Sequence, residues 1–460
     1  MIDTDNNLKI GNLKSRIEDF WKISGEKIVN IEKEYDESKG TPVYTVNGKY
    51  SNRGWTEWTQ GFHFGSAILQ FEATGEKQFL RLGRNHTLKD MARHLSHTGV
   101  HDHGFNNIST YGNLLRLLKE GKIPFNEWEK HFYELAIKIS GAVQAGRWTE
   151  IKDGGFMYSF NGPHSLFVDT IRSCRVLILS HMLGHRLYTE NDRMINLLER
   201  ALKHIKATAD YAVYYGEGRD YYDEWGRTAH EIIFNTNDGN YRCPNSQQGY
   251  SGFSTWTRGL AWAMLGFAEE LEFIETLDKG ELNVFGDKEE IETFLLKATK
   301  ATCDFYITNS ATDGIAYWDT GAPMLYKMGD YFNKPADPFN DYEPVDSSAS
   351  VIGAQALLRL GHYLQLKGQE NNAKKYWQAG LTFLKTLLNE PYLSKDPEHH
   401  GLILHSIYHR PNGWDYIPEG SKIPYGEATM WGDYHARELI LYVQKILDKQ
   451  NYYTFFNCVL

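Results

Sequence analysis

SQQGYSGFSTWTRGLAWAMLGF, residues 246–267, joins two kinds of sequence without a break. The first half is polar and aromatic, with Gly249 and Gly252 between Ser, Gln and Tyr. The second half is an apolar run with the three- and four-residue recurrence of a helix. Trp256, Arg258 and Trp262 stand where the two meet. A loop rich in hydrogen-bonding and stacking side chains that runs straight into a buried helix reads as one wall of a pocket.

The same arrangement recurs. GWTEWTQGF (54–62), GVHDHGFNN (99–107), FNGPHSLFVDT (160–170), YEPVDSSAS (342–350) and IPYGEATMWGDYH (423–435) each lead into an apolar helical run. Plainer connections such as TGEKQF (74–79) and KGQENN (367–372) separate them. The apolar spacing predicts helices near 13–34, 57–74, 78–98, 105–119, 126–145, 163–187, 192–214, 254–276, 288–307, 346–364, 370–389 and 430–449. Every second helix of this set begins at one of the special loops. Six such hairpins closed into a ring give an all-α toroid, an (α/α)6 barrel, whose inner helices all start at one rim. The special loops then converge on one pocket. The long connections 215–253 and 308–345 are expected to be insertions around it, since loops of that length in a compact domain usually carry function. An open solenoid of hairpins is the competing arrangement. It calls for regular, self-similar repeats, and these loops differ in length and content. With no Pro/Gly/Ser-rich linker, residues 1–460 read as one domain.

Composition narrows the function. The chain has 460 residues, with 49 Lys and Arg against 59 Asp and Glu, a net charge of -10. Nothing offers a phosphate backbone a broad basic face, so nucleic acid is not an expected partner. The four cysteines (Cys174, Cys243, Cys303, Cys458) are scattered and form no CxxC pair, which argues against zinc and against a disulfide framework. No apolar stretch approaches the ~18–20 residues that span a bilayer, so no membrane association is expected. The N-terminus MIDTDNNLKIGN lacks the basic and apolar regions of a secretory signal. A cytoplasmic location is expected, or the periplasm if a signal has been removed. Phosphate-binding glycine motifs are absent, and no cofactor is expected. The histidines His101, His103, His230, His405 and His409 lack the spacing of a metal-binding set, so no metal is expected either.

Two carboxylates stand out. Asp102, between His101 and His103, precedes the helix near 105. There it either caps backbone N–H groups or serves a pocket. Asp169 in SLFVDTIRSCRVLIL reads as one carboxylate inside an apolar helix. Burial there would raise its pKa, which suits a general acid, unless Arg172 or Arg175 pairs with it. Arg258 and Trp262, four apart, share a helix face. An Arg within that apolar run needs an anion, and a substrate carboxylate would serve. Trp262 could stack on a sugar ring, and Trp55, Trp58, Trp148 and Trp256 could widen the platform. Core packing is the competing reading for each tryptophan taken singly.

These stretches resemble glycoside hydrolase family 88, the unsaturated glucuronyl hydrolases, from about Trp55 to the helix after Asp433. HDHGF resembles the family's HD-x-GF and VDTIRS occupies the place of its DNMMN-like helix. QGYSGFSTWTRGLAW is similar to QGYSDDSTWARGQAW. YWDTGAP, DSSASVIGAQALL and YGEATMWGDYHARE follow in order. The resemblance implies an (α/α)6 barrel that removes a 4,5-unsaturated uronic acid from the non-reducing end of oligosaccharides left by polysaccharide lyases. It implies Asp102 and Asp169 as catalytic residues. It implies Gln248, Arg258 and Trp262 as sugar-pocket residues, with His230 upstream; His101 and Trp148 join them as candidates for substrate binding. The chemistry implied is a proton to C4 and water to C5 of the vinyl ether, both handled by Asp169. The resulting hemiketal then opens, with Asp102 holding hydroxyls and stabilising positive charge. The chain departs from the family pattern at the Thr-Ile-Arg-Ser after Asp169, at His63 in WTQGFHFG, and at GYSGFST, which lacks the acidic pair. Those departures bear on the substrate. They leave open another toroidal enzyme acting on saturated uronides or rhamnogalacturonyl oligosaccharides, or a non-catalytic sugar-binding protein. The protein is expected as a monomer or a small homo-oligomer.

Overall fold

The computed structural model describes residues 2–54, 56–277, 282 and 286–452. Trp55 and Cys458 lie outside the described residues. Among the described residues, twelve long helical segments alternate between an outer and an inner ring. The outer helices are α1 (Lys14–Glu34), α3 (Lys77–Asp90), α5 (Glu127–Gly146), α7 (Leu197–Ala207), α9 (Lys288–Thr308) and α11 (Glu370–Leu387). The inner ones are α2 (Gln60–Thr74), α4 (Gly104–Gly112 continued by Asn113–Lys119), α6 (Thr170–Met182), α8 (Thr257–Glu275), α10 (Ser347–Leu366) and α12 (Met430–Leu447). Neighbouring inner helices pack in order from α2 round to α12, and α12 packs back on α2, which closes the ring. The protein is an all-α, six-hairpin toroid, as the loop pattern predicts.

The two rings follow from their sequences. Outer helices carry one apolar stripe, and α5, α7 and α9 start at side-chain caps. Asn126 accepts from Glu129 N, Asn196 from Leu198 N, and Asp287 from Glu289 N. Inner helices are buried nearly all round, so they need small residues where they touch. A Cβ on Gly104 would sit 2.4 Å from Ser173 Cα, and one on Gly61 would sit 2.4 Å from Asn106 Cα. Both glycines are there for close helix approach.

Inside the ring lies a buried ionic cluster. Arg172 Nη2 bonds Glu269 Oε1 at 2.9 Å and Glu438 Oε2 at 2.6 Å, and Arg359 Nη1 bonds Glu272 Oε2 at 2.5 Å. Arg175 faces the same pair, Glu269 and Glu438. These glutamates, and not Asp169, are therefore the partners of Arg172 and Arg175.

One element differs from the spacing. Residues 163–169 are not helical. Ser165–Phe167 is a strand, paired antiparallel with Glu231–Phe234, which pairs in turn with Tyr241–Asn245. A short apolar run suits strand and helix equally, and pairing with a segment some 65 residues on decides between them. Asp169 is accordingly the N-cap residue of α6, not a residue of its interior. No helix among the described residues is long and apolar enough to cross a membrane.

Candidate active site

The loops before five of the six inner helices meet in one cleft, enclosing about 550 Å³ of space, part of it open to solvent; the loop before α10 supplies none of its lining. Its wall takes Trp58 from the loop before α2, His101 and Asp102 from before α4, and Phe160 and Asp169 from before α6. Gln247, Gln248 and Trp256 come from before α8, and Tyr408, His409 and Trp414 from before α12. The connection 308–345 supplies no lining residue but supports the wall from behind. Trp318 O accepts from Thr257 N at 3.1 Å, and Asp319 Oδ2 from Tyr250 N at 2.8 Å.

At the centre is a group of four titratable side chains. His101 Nε2 lies 3.8 Å from Asp102 Oδ1 and 3.6 Å from Asp169 Oδ2. His230 Nε2 lies 3.8 Å from Asp169 Oδ1 on its other side. The small sheet sets this up. Val168 N donates to His230 O at 2.9 Å, so the strand pairing places His230 beside Asp169. Gln247 N and Gln248 N donate to His230 Nδ1 at 3.1 and 3.4 Å, which leaves Nε2 to face the carboxylate. His101 is held by ring contacts with Phe160 and Phe167, at 5.7 and 5.5 Å between centroids. Behind HDH the chain runs as a π-helix over Gly104–Gly112, a wide turn that is frequent at functional sites. His103 faces away, bonded to Ser140 Oγ and His97 O at 2.9 Å each.

The protons distribute unevenly. Burial raises the Asp102 pKa, and the charge of His101 only partly offsets it. Burial would raise Asp169 too, but the adjacent His101 imidazole, and after it the charge of His230, bring it below the usual value. His101 is raised, since Asp102 and Asp169 together outweigh its burial. His230 is held down to about 4, because burial outweighs Asp169 there. Of the two carboxyls, the one whose pKa is raised is thus Asp102, whereas the sequence points to Asp169. The main reason is His101, which acts most strongly on Asp169, with His230 adding to it; neither enters a chain-local reading of Asp169.

Arg258 also differs from expectation. Its guanidinium lies between the rings of Trp256 and Trp431, 4.4 and 4.8 Å from their centroids. Nη1 bonds Asp346 Oδ2 at 2.8 Å, and Nη2 bonds Tyr408 O at 2.7 Å and Gln248 Oε1 at 3.2 Å. Its anion is therefore Asp346, and it orients Gln248 and the 407–409 backbone instead of waiting for a substrate carboxylate. Trp262 forms the floor at 2% exposure, wedged against Phe105 and His435. Trp148 is not in the cleft. It sits in the strand Trp148–Ile151 with Arg200 over its ring at 4.7 Å and lines a separate surface hollow. His63 does not line the cleft either; it packs against Tyr35 and Phe64. The residues 408–414 escape a sequence reading, although His409 and Trp414 before an inner helix repeat the signal of the other loops.

No protein-family model matches the chain. An unsaturated glucuronyl hydrolase of Formosa agariphila is 25% identical over 399 residues, 85% of this chain and 81% of that protein. One from Bacillus sp. (strain GL1) is 25% identical over 419 residues, 89% of this chain and 90% of it. The crystal structure of unsaturated glucuronyl hydrolase from Bacillus sp. GL1 superposes with a TM-score of 0.69 at 22% identity, covering 92% of this chain and 97% of that one. A closed double ring of helices with two carboxylates at one rim defines a six-hairpin glycoside hydrolase. Within that class the chain is similar to proteins named unsaturated glucuronyl hydrolase, over most of its length and of theirs.

Proposed function

We propose that the protein removes a 4,5-unsaturated uronic acid from the non-reducing end of lyase-generated oligosaccharides, acting as a single catalytic domain. One observation carries the proposal: Asp102 and Asp169, 67 positions apart in the chain, converge on the same imidazole, His101, inside one buried cleft. In this reading Asp169 is the proton-handling group. A uronate carboxylate entering the cleft adds like charge beside it and raises its pKa. His101, itself raised, can supply the proton. Asp169 then protonates C4, water adds at C5, and the water's proton returns to Asp169. The C5 hemiketal opens, the ring oxygen stays on C1, and the C1 hemiacetal so formed collapses to expel the aglycone.

Asp102, its pKa raised by burial, suits a hydroxyl-binding role better than stabilising positive charge. Gln248, held by Arg258, presents an amide to the sugar, and Trp58 presents its ring to the sugar. His230 keeps Asp169 in place.

The experiment is ultraviolet absorbance of the conjugated C=C on incubation with unsaturated disaccharides from several lyases, repeated with Asp169→Asn. Loss with the native protein and not with the variant supports the reading. No loss with any of them points to a saturated uronide or to a sugar-binding protein.

A further inference from the structure

Beyond the cleft, the protein exposes a cluster of aromatic rings. Tyr221 is fully exposed, and Tyr222, Tyr250 and Phe253 are 60%, 52% and 48% exposed. They border one groove enclosing about 1100 Å³ of space, part of it open to solvent, with Ser251 and Asn309 between them. The Tyr222 and Phe253 rings sit 5.3 Å apart. Exposed rings gathered in one concavity mark an interaction site more often than scattered ones do.

The rings stand on pinned backbone. The Asp223 carboxylate accepts from the N–H groups of Gly216, Glu217 and Arg219 at 2.9, 3.1 and 2.7 Å. Tyr250 N is held by Asp319, and Arg227 ties Asp220 to the carbonyl of Phe253 at 2.7 and 3.0 Å. A surface that is ordered in advance loses little freedom on binding.

The groove and the catalytic cleft share a wall. Gln248 lines the cleft, Tyr250 to Ser254 line the groove, and Trp256 lines the cleft again. Two residues of chain reach at most ~7 Å, about one sugar unit. An oligosaccharide leaving the cleft over this wall meets the groove next.

Charge selects the occupant. The lining holds Asp223 and Glu224 against a single cation, Arg227, which Asp220 already pairs. Sulfate or a second uronate would find no free cation there. Aromatic faces with hydroxyl and amide groups between them suit the C–H faces and hydroxyls of uncharged sugars.

We propose that this groove is a second carbohydrate subsite, holding uncharged sugar residues on the leaving-group side of the oligosaccharide. The proposal rests on the reading of the cleft given above.

The test compares an unsaturated disaccharide with an unsaturated tetrasaccharide carrying three neutral sugars behind the uronate. Tyr222→Ala and Phe253→Ala are expected to raise KM for the tetrasaccharide about tenfold, the factor that ~1.4 kcal/mol of lost contact sets. KM for the disaccharide stays unchanged, and Tyr222→Phe, which keeps the ring, restores the tetrasaccharide value. Tyr326→Ala, at a 74% exposed ring outside the groove, has no effect. Equal changes for both substrates, or none, overturn the proposal. So does a change in sedimentation with KM untouched, which would make the rings a contact between copies of the chain. A second arm needs no catalysis: saturation-transfer NMR with the saturated form of the same tetrasaccharide. Signal on the native protein that Tyr222→Ala abolishes supports the subsite even if no unsaturated substrate is turned over. Absence of signal on the native protein overturns it.

Discussion

Replacing Asp346 by Asn isolates the pair on which the shape of the cleft depends. Asp346 and Arg258 are 0% and 1% exposed, with 2.8 Å between Oδ2 and Nη1. The Asn side chain keeps an oxygen for the helix cap, where Ser348 N donates at 3.1 Å, so the cap survives. What disappears is the negative charge, which leaves a guanidinium buried without its anion. Breaking a buried pair in this way costs ~3–5 kcal/mol. Unfolding entropy of about 2.1 cal/mol/K per residue amounts to ~1 kcal/mol/K over 460 residues. The melting temperature of Asp346→Asn, followed by circular dichroism, should therefore fall by ~3–5 °C. The double variant Arg258→Met, Asp346→Asn removes the stranded charge and should melt no lower than the single variant, while activity is lost as Gln248 comes adrift. A shift of less than about 1 °C for Asp346→Asn, or a double variant whose loss is the sum of two independent losses, would refute the reasoning.

Stability should fall as pH drops through the histidine range. Burial holds His63, His94 and His204 down to about 3, so the unfolded chain binds more protons between ~6.5 and ~3 and folding weakens steadily across that window. Asp319 and Asp415, each raised to about 6, act oppositely, favouring the fold as pH drops from ~6 to ~4. With more histidines than aspartates shifted, denaturant midpoints should decline towards acid, and His204→Gln should flatten part of that slope; a rise towards acid would contradict this. Gly104→Ala puts a Cβ 2.4 Å from Ser173 Cα and 2.9 Å from its carbonyl oxygen, both backbone. It should lower stability by ~1–3 kcal/mol or more in denaturant titration. Trp148→Ala should leave kcat/KM within about twofold of native, because the ring stacks on Arg200 outside the cleft; a tenfold loss would return it to the site.

Much of this architecture is legible in the chain, for a physical reason. Inner helices of a closed ring are buried all round, so their starts are the places where the chain can present polar and aromatic groups to one rim. That produces the contrast seen at 246–267 and 99–107. What stays hidden depends on pairing across distance. Asp169 reads as helical because its strand partner lies at 231–233. Arg258 reads as unpartnered because Asp346 is 88 positions away. The raised carboxyl goes to Asp102 because His101, chiefly, and His230 come to flank Asp169 only once the chain folds. Trp148 carries the same side chain as the rim tryptophans but sits on a strand pair outside the ring.

The most direct measurement of the central claim follows two signals in one reaction: ultraviolet absorbance of the double bond and release of the free aglycone. Hydration at C4=C5 predicts that both advance together, one double bond lost per aglycone freed, and that Asp169→Asn stops both. Aglycone release with the double bond intact would place the cleavage at C1 and contradict the account.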